Sequence, residues 1–499
     1  MEKLNLATDP WVKLRFRAPT SLIDFFHMEK APELDGTPAE RFVVFRLLLA
    51  ILQASCPLEL EWDLENLTIE DMKRRAADYL NSHAAEFELY DANRPFLQYP
   101  AVVSKEKSLS TGSLVMGVCV GNATRLFESN CERRLTPAEE AYILLLQVIL
   151  GFSGKKPDAQ ITIAKGLKKK IPSPASPSLG RSLLHTFPLG EDLFATLRLN
   201  LLTREDLEMM PFLREGMGVP PWERMPDAEV GESAERYASS YMGRLIPLAH
   251  FCHLLDGRMH MTSGITYPVL KETGIADPSV SLKKSKEGQF SAVTASTEKQ
   301  PWRQLEAVLA FGKGDGCRLL ELRSGMSGMS GECRGMWCVG LMMSEQGGDQ
   351  YFSGTDGFVE EVFRIQGSWS DSGFMNRYSK GLAKLEHISK MLCAAVANYY
   401  REISAVDDIK KNAFIKKKEN AARSGFWKLC DVHGEAFVEG CMTGTQASAL
   451  LTFVRCAETA YADSCSTQGA RNLMMYVKNQ PRFGKLVKEL NAMRSEGQK

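Results

Sequence analysis

The sequence predicts a mixed α/β N-terminal domain followed by an all-helical C-terminal bundle. Three observations carry this. Up to about Ile365, helical segments alternate with short runs bearing strand and turn signals, whereas from Phe374 nearly every segment has helical period. At 499 residues the chain exceeds what one hydrophobic core serves. Successive helices with short connections form a bundle. The expected division is therefore 1–373 and 374–499.

Each element has a local reason. Thr37-Pro38-Ala39-Glu40 reads as a helix start, with Thr37 the cap and Glu40 completing a capping box. Beyond it Phe42, Phe45, Leu49 and Leu52 share one face while Val43, Val44, Leu47, Leu48 and Ile51 fill the others, so this helix belongs at the centre of a core. Thr68-Ile69-Glu70-Asp71 opens a second helix reaching about Ala85. The turn-rich stretch 91–98 carries one aromatic, Phe96, expected to be exposed. A polar loop covers 117–130. Thr136-Pro137-Ala138-Glu139 then starts a helix with proline at its first position, and Gly151 stops it. Residues 160–164 alternate like a short strand, and 168–180, with three prolines, cannot be regular. Asp192 caps a helix through Leu193, Leu197 and Leu201.

Residues 210–235 read as linker or surface loop. Residues 241–293 read as short strands and hairpins, with turns at Asp256-Gly257, Ser263-Gly264 and Asp277-Pro278. A short helix fits 302–312 and a flexible loop 324–335. Strands are expected over 336–343 and 358–365, around a glycine turn at 344–349. In the C-terminal part, Leu385, Ile388, Leu392, Val396 and Tyr399 form one apolar stripe and Leu450, Val454, Ala457 and Tyr461 another. Further helices fit 409–424, 426–441 and 469–488.

Composition excludes several function classes. Hydrophobic residues make up 44% and charged residues 24%, as in ordinary soluble proteins. Lys plus Arg total 61, matching 61 Asp plus Glu, so a polyanion could be met only by a local cluster. Residues 1–11 lack a signal peptide's apolar core and cleavage site, and the longest apolar run, 141–150, falls far short of the ~20 residues of a membrane span. Twelve cysteines without a Cys-x-x-Cys argue against a zinc ribbon or disulfide scaffold, and a reducing cytoplasm is the expected location.

Catalytic motifs are missing from the sequence: there is no Gly-x-Gly-x-x-Gly between strand and helix, no Walker lysine and no Gly-x-Ser-x-Gly. His250 and His253 flank Cys252, with His260 downstream, but on strand and turn signals they read as ordinary part-buried histidines. Cys333 and Cys338 read as packing residues, and Asp349 and Asp356 as turn residues. No enzyme, metal or cofactor is expected.

The densest positive field lies in 151–181, where Lys155, Lys156, Lys165, Lys168, Lys169, Lys170 and Arg181 face one acid, Asp158. Most charge runs are solvated loops. Lysines on phosphates, however, release about one counterion each, so even ~3 contacts give strong salt dependence. Gly151 and Gly154 let backbone N–H groups approach a ligand, since no Cβ intervenes. Phe127 either stacks on a base or tucks its loop back onto the domain. The turn Ser344-Glu345-Gln346-Gly347-Gly348 is either a hairpin tip or a compact wedge, with a glutamine amide able to donate and accept at base edges.

Taken in order, several motifs resemble those of the large subunit (CasA) of the type I-E CRISPR surveillance complex Cascade. They are Asn5-Leu-Ala-Thr-Asp-Pro-Trp-Val12, Leu34-Asp-Gly-Thr-Pro-Ala-Glu-Arg-Phe42, Arg94-Pro-Phe-Leu-Gln98, Gly121-Asn-Ala-Thr-Arg-Leu-Phe127, the run from Gly190 to Leu202, and Gly347-Gly-Asp-Gln-Tyr-Phe-Ser-Gly-Thr-Asp-Gly-Phe-Val-Glu360. The resemblance covers nearly the whole chain. It implies an N-terminal α/β domain of family-specific fold and a C-terminal four-helix bundle. It also implies a non-catalytic subunit that reads a protospacer-adjacent motif in double-stranded DNA and wedges the strands apart. Such a subunit helps guide RNA pair and offers a docking surface for a helicase-nuclease. Its partners would be the other Cascade subunits, the guide RNA and the target duplex, with no membrane. The resemblance assigns DNA contact to Asn122, Thr124 and Phe127 in a first loop, to the glycine loop 151–156 with Gly151, Gly154, Lys155 and Lys156, and to a wedge at Gln346 and Gly347. Lys168, Lys169 and Lys170 would support the duplex, and Lys283, Lys284 and Arg258 are candidates for a motif-reading cation. The competing reading is an RNA-binding scaffold that touches only guide RNA and neighbouring subunits.

Overall fold

The computed structural model describes residues 3–104, 107–116, 133–151, 158, 160–164, 178–267, 277–285, 287, 289–296, 298–311, 316–325, 332–342, 357–364, 372–404 and 408–496. They fall into two compact units, 1–297 with 307–362, and 298–306 with 363–499. The architecture is mixed α/β with an all-helical C-terminal region. Among the described residues no helix is long and apolar enough to cross a membrane.

At the centre of the first unit lies the helix Pro38–Ser55, buried almost continuously from Phe42 to Gln53. Its start has the expected reciprocal cap: Thr37 Oγ1 accepts from the Glu40 N–H, and the Glu40 carboxylate accepts the Thr37 N–H at 2.7 Å. Two polar side chains are enclosed in this apolar rod, and both are satisfied. Gln53 exchanges two bonds with Leu202, donating to its carbonyl at 3.1 Å and accepting its N–H at 2.7 Å. Arg46 pairs with Asp277 at 2.5 Å and also donates to the carbonyls of Arg244 and Leu245. An unpaired charge at such a site costs several kcal/mol, so the pair fixes where the 277 segment can sit.

Eight short strands are described: β1 (Leu109–Ser110), β2 (His185–Leu189), β3 (His250–Leu255), β4 (Arg258–Ser263), β5 (Leu282–Lys284), β6 (Phe290–Ala292), β7 (Gly335–Met342) and β8 (Gly357–Arg364). One sheet has the order β1-β4-β3, another β2-β7-β8, and β5 pairs with β6. Isolated bridges His185↔Val280 and Leu183↔Thr294 connect the β5–β6 segments to β2. On β2, His185 Nδ1 lies 2.7 Å from Ser279 Oγ, which donates to Asp277 at 2.5 Å, and Phe42 of the central helix packs edge-on against the imidazole. Burial works against the charge of Asp277, but Arg46 holds its carboxyl below the usual range.

The second unit contains the helices Ser372–Ile403, Asp408–Asp431, Gly434–Thr443, Gln446–Ser464, Ala470–Lys478 and Gly484–Glu496. Both apolar stripes read from the sequence are buried. Residues 298–306 belong here because Trp302 is enclosed by the helices. Its ring stacks on Phe453 at 5.8 Å, meets Phe437 edge-on, donates from Nε1 to Asp431 at 2.9 Å, and its carbonyl accepts from Tyr378. Gly434 is required beside it, since a Cβ there would lie 2.6 Å from the indole.

Several sequence expectations are corrected. Residues 160–164 form no strand: the Ile163 and Ala164 N–H groups turn to the Glu229 carboxylate, that of Gln160 to the Asp158 carboxylate and that of Ile161 to the Asp158 carbonyl. Phe96 is buried, stacked on Phe87 at 5.0 Å. The 210–235 stretch is no surface linker: Met210, Leu213, Trp222 and Glu229 are all buried in it. Tyr241–Leu245 is a short helix capped by Ser240. Asp408–Asp431 runs straight through Ser424-Gly425, while the expected 469–488 helix divides around Pro481, which cannot continue a helix hydrogen-bond ladder. The flexible loop at 324–335 and the glycine turn at 344–349 lie largely outside the described residues.

Burial pushes His185 from its ordinary 6.5 to about 3. An unfolded chain therefore binds a proton that the native state refuses between about pH 6.5 and 3, and stability falls as the pH drops through that window. The loss is on the order of 5 kcal/mol at full extent. In denaturant unfolding measured across this range, His185→Asn should flatten the acid limb, and an unchanged limb would contradict the assignment.

Candidate nucleic-acid interface

The helix Pro137–Leu150 is the element from which two of the candidate loops spring. Thr136 and Glu139 form a capping box, Pro137 occupies the first turn, and every residue from Glu140 to Leu150 is buried. Arg133 pairs with Glu139 and holds its carboxyl at about 2. At the other end Gly151 adopts φ 66°, ψ 41°, a left-handed C-cap that glycine takes without Cβ strain. The position singled out for backbone approach to DNA thus has a helix-ending role in its own right.

The first loop is rooted on both sides. Gly112 lies so close to Arg133 that a Cβ on it would fall 1.9 Å from the Arg133 carbonyl oxygen. Thr111, on the same 3₁₀ turn, bonds the Gly257 carbonyl through its N–H at 3.1 Å and Glu140 through its hydroxyl at 2.8 Å. The chain therefore leaves and re-enters at neighbouring points. Asn122, Thr124 and Phe127 themselves lie outside the described residues.

The basic stretch is rooted at more than its ends. Ser178 Oγ donates to the Leu150 carbonyl, which brings the far end back to the helix terminus. Asp158, the one acid, is a pin: its N–H donates to Met261 of β4 at 2.7 Å, and its carboxylate accepts the Ser104 hydroxyl at 2.6 Å and the Gln160 N–H at 3.0 Å. Burial opposes its ionisation, but these bonds and Lys107 leave its pKa below the usual value. Residues 163 and 164 donate to the buried Glu229. Arg181, counted with the basic cluster, is instead half-buried, and burial lowers its pKa. Gly154, Lys155, Lys156, Lys168, Lys169 and Lys170 lie outside the described residues. Glu229 and Ser178 carry no sequence signal of this role, since each acts on chain distant from it.

Of the hairpin candidates, Lys283 is exposed on β5 opposite Ser291, and Lys284 stands opposite Phe290. Arg258 is engaged, donating to Ser108 through Nε at 2.8 Å and Nη2 at 2.6 Å. Gln346 and Gly347 lie outside the described residues, between the neighbouring strands β7 and β8. His253 and His260 face each other across β3 and β4 with ring centroids 6.4 Å apart. Among the described residues no group of three or more His, Cys, Asp or Glu is arranged to hold a metal ion.

A family model described as CRISPR-associated protein Cse1 matches residues 5–461. The chain belongs to the Cse1 family. It is the same family to which the sequence motifs point. Comparison with curated proteins gives no match. Among solved structures, CasA (Cse1) of Thermus thermophilus matches with a TM-score of 0.70 and 20% identity over 98% of this chain and 100% of that one. Cse1 of Thermobifida fusca matches with a TM-score of 0.73 and 18% identity over 99% and 98%. A chain of a CRISPR RNA-guided surveillance complex matches with a TM-score of 0.66 and 16% identity over 98% and 99%. At these identities the structural likeness is one of fold.

In this Cse1 chain the root of the first loop can be tested directly. Gly112→Ala forces its Cβ against main chain that has no rotamer with which to yield, and overpacking of this kind costs about 1–3 kcal/mol. A lowered denaturant midpoint is expected. Wild-type stability would show that 111–116 and 133–136 are not in contact.

Proposed function

We propose that this Cse1 chain is a non-catalytic large subunit of a type I-E Cascade complex that recognises a protospacer-adjacent motif in double-stranded DNA. It then opens the first base-pair step so that guide RNA can pair with the target. The observation that carries this reading is the family match along 5–461. Two candidate contact loops rooted on one buried helix support it. In this reading Asn122, Thr124 and Phe127 meet the duplex from one side and Gly154 approaches the minor groove by its backbone. Gln346 with Gly347 is the wedge, and Lys283 or Lys284 supplies a motif-reading cation. The lysines of the 151–181 stretch track phosphates. The other Cascade subunits and the guide RNA are its partners, a helicase-nuclease is recruited after strand opening, and the C-terminal helices act as a four-helix bundle.

The energetics are coherent. Opening a duplex costs ~1.4 kcal/mol per base-pair step, and guide pairing offsets this only once it has begun. A subunit that holds the first step open removes that initial barrier. Minor-groove readout separates A·T from G·C and little more, so a relaxed motif is expected.

The test is binding of the reconstituted complex to duplexes that differ only in the flanking trinucleotide. Affinity should vary with the flank, Phe127→Ala should weaken target binding, and Gln346→Ala should slow strand opening at nearly unchanged duplex affinity. Equal affinity for matched and scrambled flanks would favour the RNA-binding scaffold instead.

A further inference from the structure

The first unit contains a cleft of about 860 Å³ between two stretches of chain, 53–59 with 204–208 on one side and 210–223 with Met242 on the other. Each wall is fixed by main-chain bonds. The Arg204 and Glu205 N–H groups donate to the Leu58 and Glu59 carbonyls at 2.8 and 3.1 Å, and those of Tyr241 and Met242 to the Gly216 and Met217 carbonyls, both at 2.9 Å. The cleft is therefore formed before anything enters it, which lowers the ordering cost of binding. Leu58, Leu207, Met210, Leu213 and Met242 are buried in its lining, while Pro57, Pro211 and Val219 are exposed in it. Gly216, at φ 60°, has nothing within 4 Å of where a Cβ would stand, so the chain there faces open space.

The lining carries four glutamates, Glu59, Glu208, Glu215 and Glu223, against two arginines, Arg204 and Arg214. Arg204 is shared by two of the acids, donating to Glu208 at 3.1 Å and to Glu59 at 3.4 Å, and these bonds raise its pKa. Glu223 is oriented by the Tyr79 hydroxyl, which in turn accepts from Trp222 Nε1 at 2.7 Å. Next to Glu59 the chain continues into the short helix Glu61–Asn66, with Glu61, Asp63 and Glu65 and a 67% exposed Trp62. Partial burial, and then the like charges of Glu65 and Asp206, raise the pKa of Glu61, a sign that acids are crowded on this side. Gln53, buried in the lining, is committed to Leu202 through both ends of its amide, and so does little to orient a small polar ligand.

A preformed, methionine-bearing apolar cleft with an acidic rim selects its occupant by charge. Phosphates are repelled from such a rim, whereas lysines and arginines flanking an apolar anchor meet carboxylates already in place. We propose that the cleft is a docking site for a basic segment of a partner protein, which seats an apolar side chain among Met210, Leu213 and Met217 and sets cations against Glu59, Glu208 and Glu223. The site is separate from DNA recognition and does not rest on the roles proposed for the lysine-bearing loops.

The experiment titrates the full chain with a short labelled peptide of lysines with leucines three and four residues apart, and locates it by hydrogen exchange. Two control peptides carry serine in place of leucine or glutamate in place of lysine. Expected are binding by the lysine–leucine peptide alone and slowed exchange over 57–60 and 213–220. Val219→Arg, which places a cation and added bulk on a lining position, should weaken binding about tenfold or more. Glu223→Gln should weaken it severalfold and flatten its salt dependence, since a contact with the rim is lost. Protection that falls elsewhere, or equal affinity of wild type and Val219→Arg, overturns the proposal. Equal binding of the serine peptide removes the apolar seat, and binding of the glutamate peptide removes the charge selection. Displacement of the peptide by a single-stranded oligonucleotide would make the cleft a nucleic-acid site and overturn the proposal as well. Should Val219→Arg fail to fold, Glu215→Lys reverses a charge at an exposed lining position and serves in its place.

Discussion

The first unit depends on a buried ion pair. Arg46 sits in the middle of the apolar helix Pro38–Ser55 and meets Asp277, which lies 231 residues further on. A pair of this kind adds little stability relative to a well-packed apolar substitute, yet removing one partner strands a charge and costs about 3–5 kcal/mol. Its effect is therefore one of specification. With Arg46 also capping the carbonyls of Arg244 and Leu245, and Asp277 bonded through Ser279 to His185, one guanidinium ties the central helix to three separate stretches of chain. The strand β2 and the β5–β6 segments that carry Lys283 are in register with that knot.

Upon this frame the candidate interface is organised by roots. The helix Pro137–Leu150 is buried from Glu140 onward, and its two ends are where loops begin. Arg133 and Gly112 close the stem at its N-terminus, and Ser178 returns the basic stretch to its C-terminus. Polar side chains hold these roots: Glu140 on Thr111, Asp158 on Ser104, Glu229 on the 163–164 amides. A recognition loop that must meet a stiff duplex gains from such rooting, since ordering that is already present in the free protein is not charged against binding. The acid inside the basic run thus belongs to the scaffold rather than diluting the positive field.

What was legible in the sequence was local. The capping box at Thr37, the proline helix start at Thr136-Pro137, the glycine stop at Gly151, the all-round apolar helix and the buried stripes of the C-terminal helices each follow from residues within a turn or two of one another. What escaped depends on distant partners. Nothing near Arg46 announces Asp277, nothing near Trp302 announces that its ring belongs among C-terminal helices, and nothing in 210–235 marks Glu229 as an anchor for 163–164. Phe96 looked exposed because its neighbours are turn formers, yet Phe87 covers it. The alternation in 160–164 was real but its N–H groups found a carboxylate instead of a neighbouring strand. The contact residues themselves were reached through ordered motifs, because no charge or period distinguishes Asn122 or Gln346 from other turn residues.

In the proposed function, DNA is met by loops while the buried frame that roots them stays as it is. Hydrogen exchange of the assembled complex, with and without a duplex carrying a recognised flank, tests this most directly. Slowed exchange is expected in peptides covering 117–132, 152–157, 165–177 and 343–356, with the amides of Pro137–Leu150 and of 163–164 equally protected in both states. Slowed exchange confined to other parts of the chain, or a helix Pro137–Leu150 that becomes protected only when DNA binds, would contradict it.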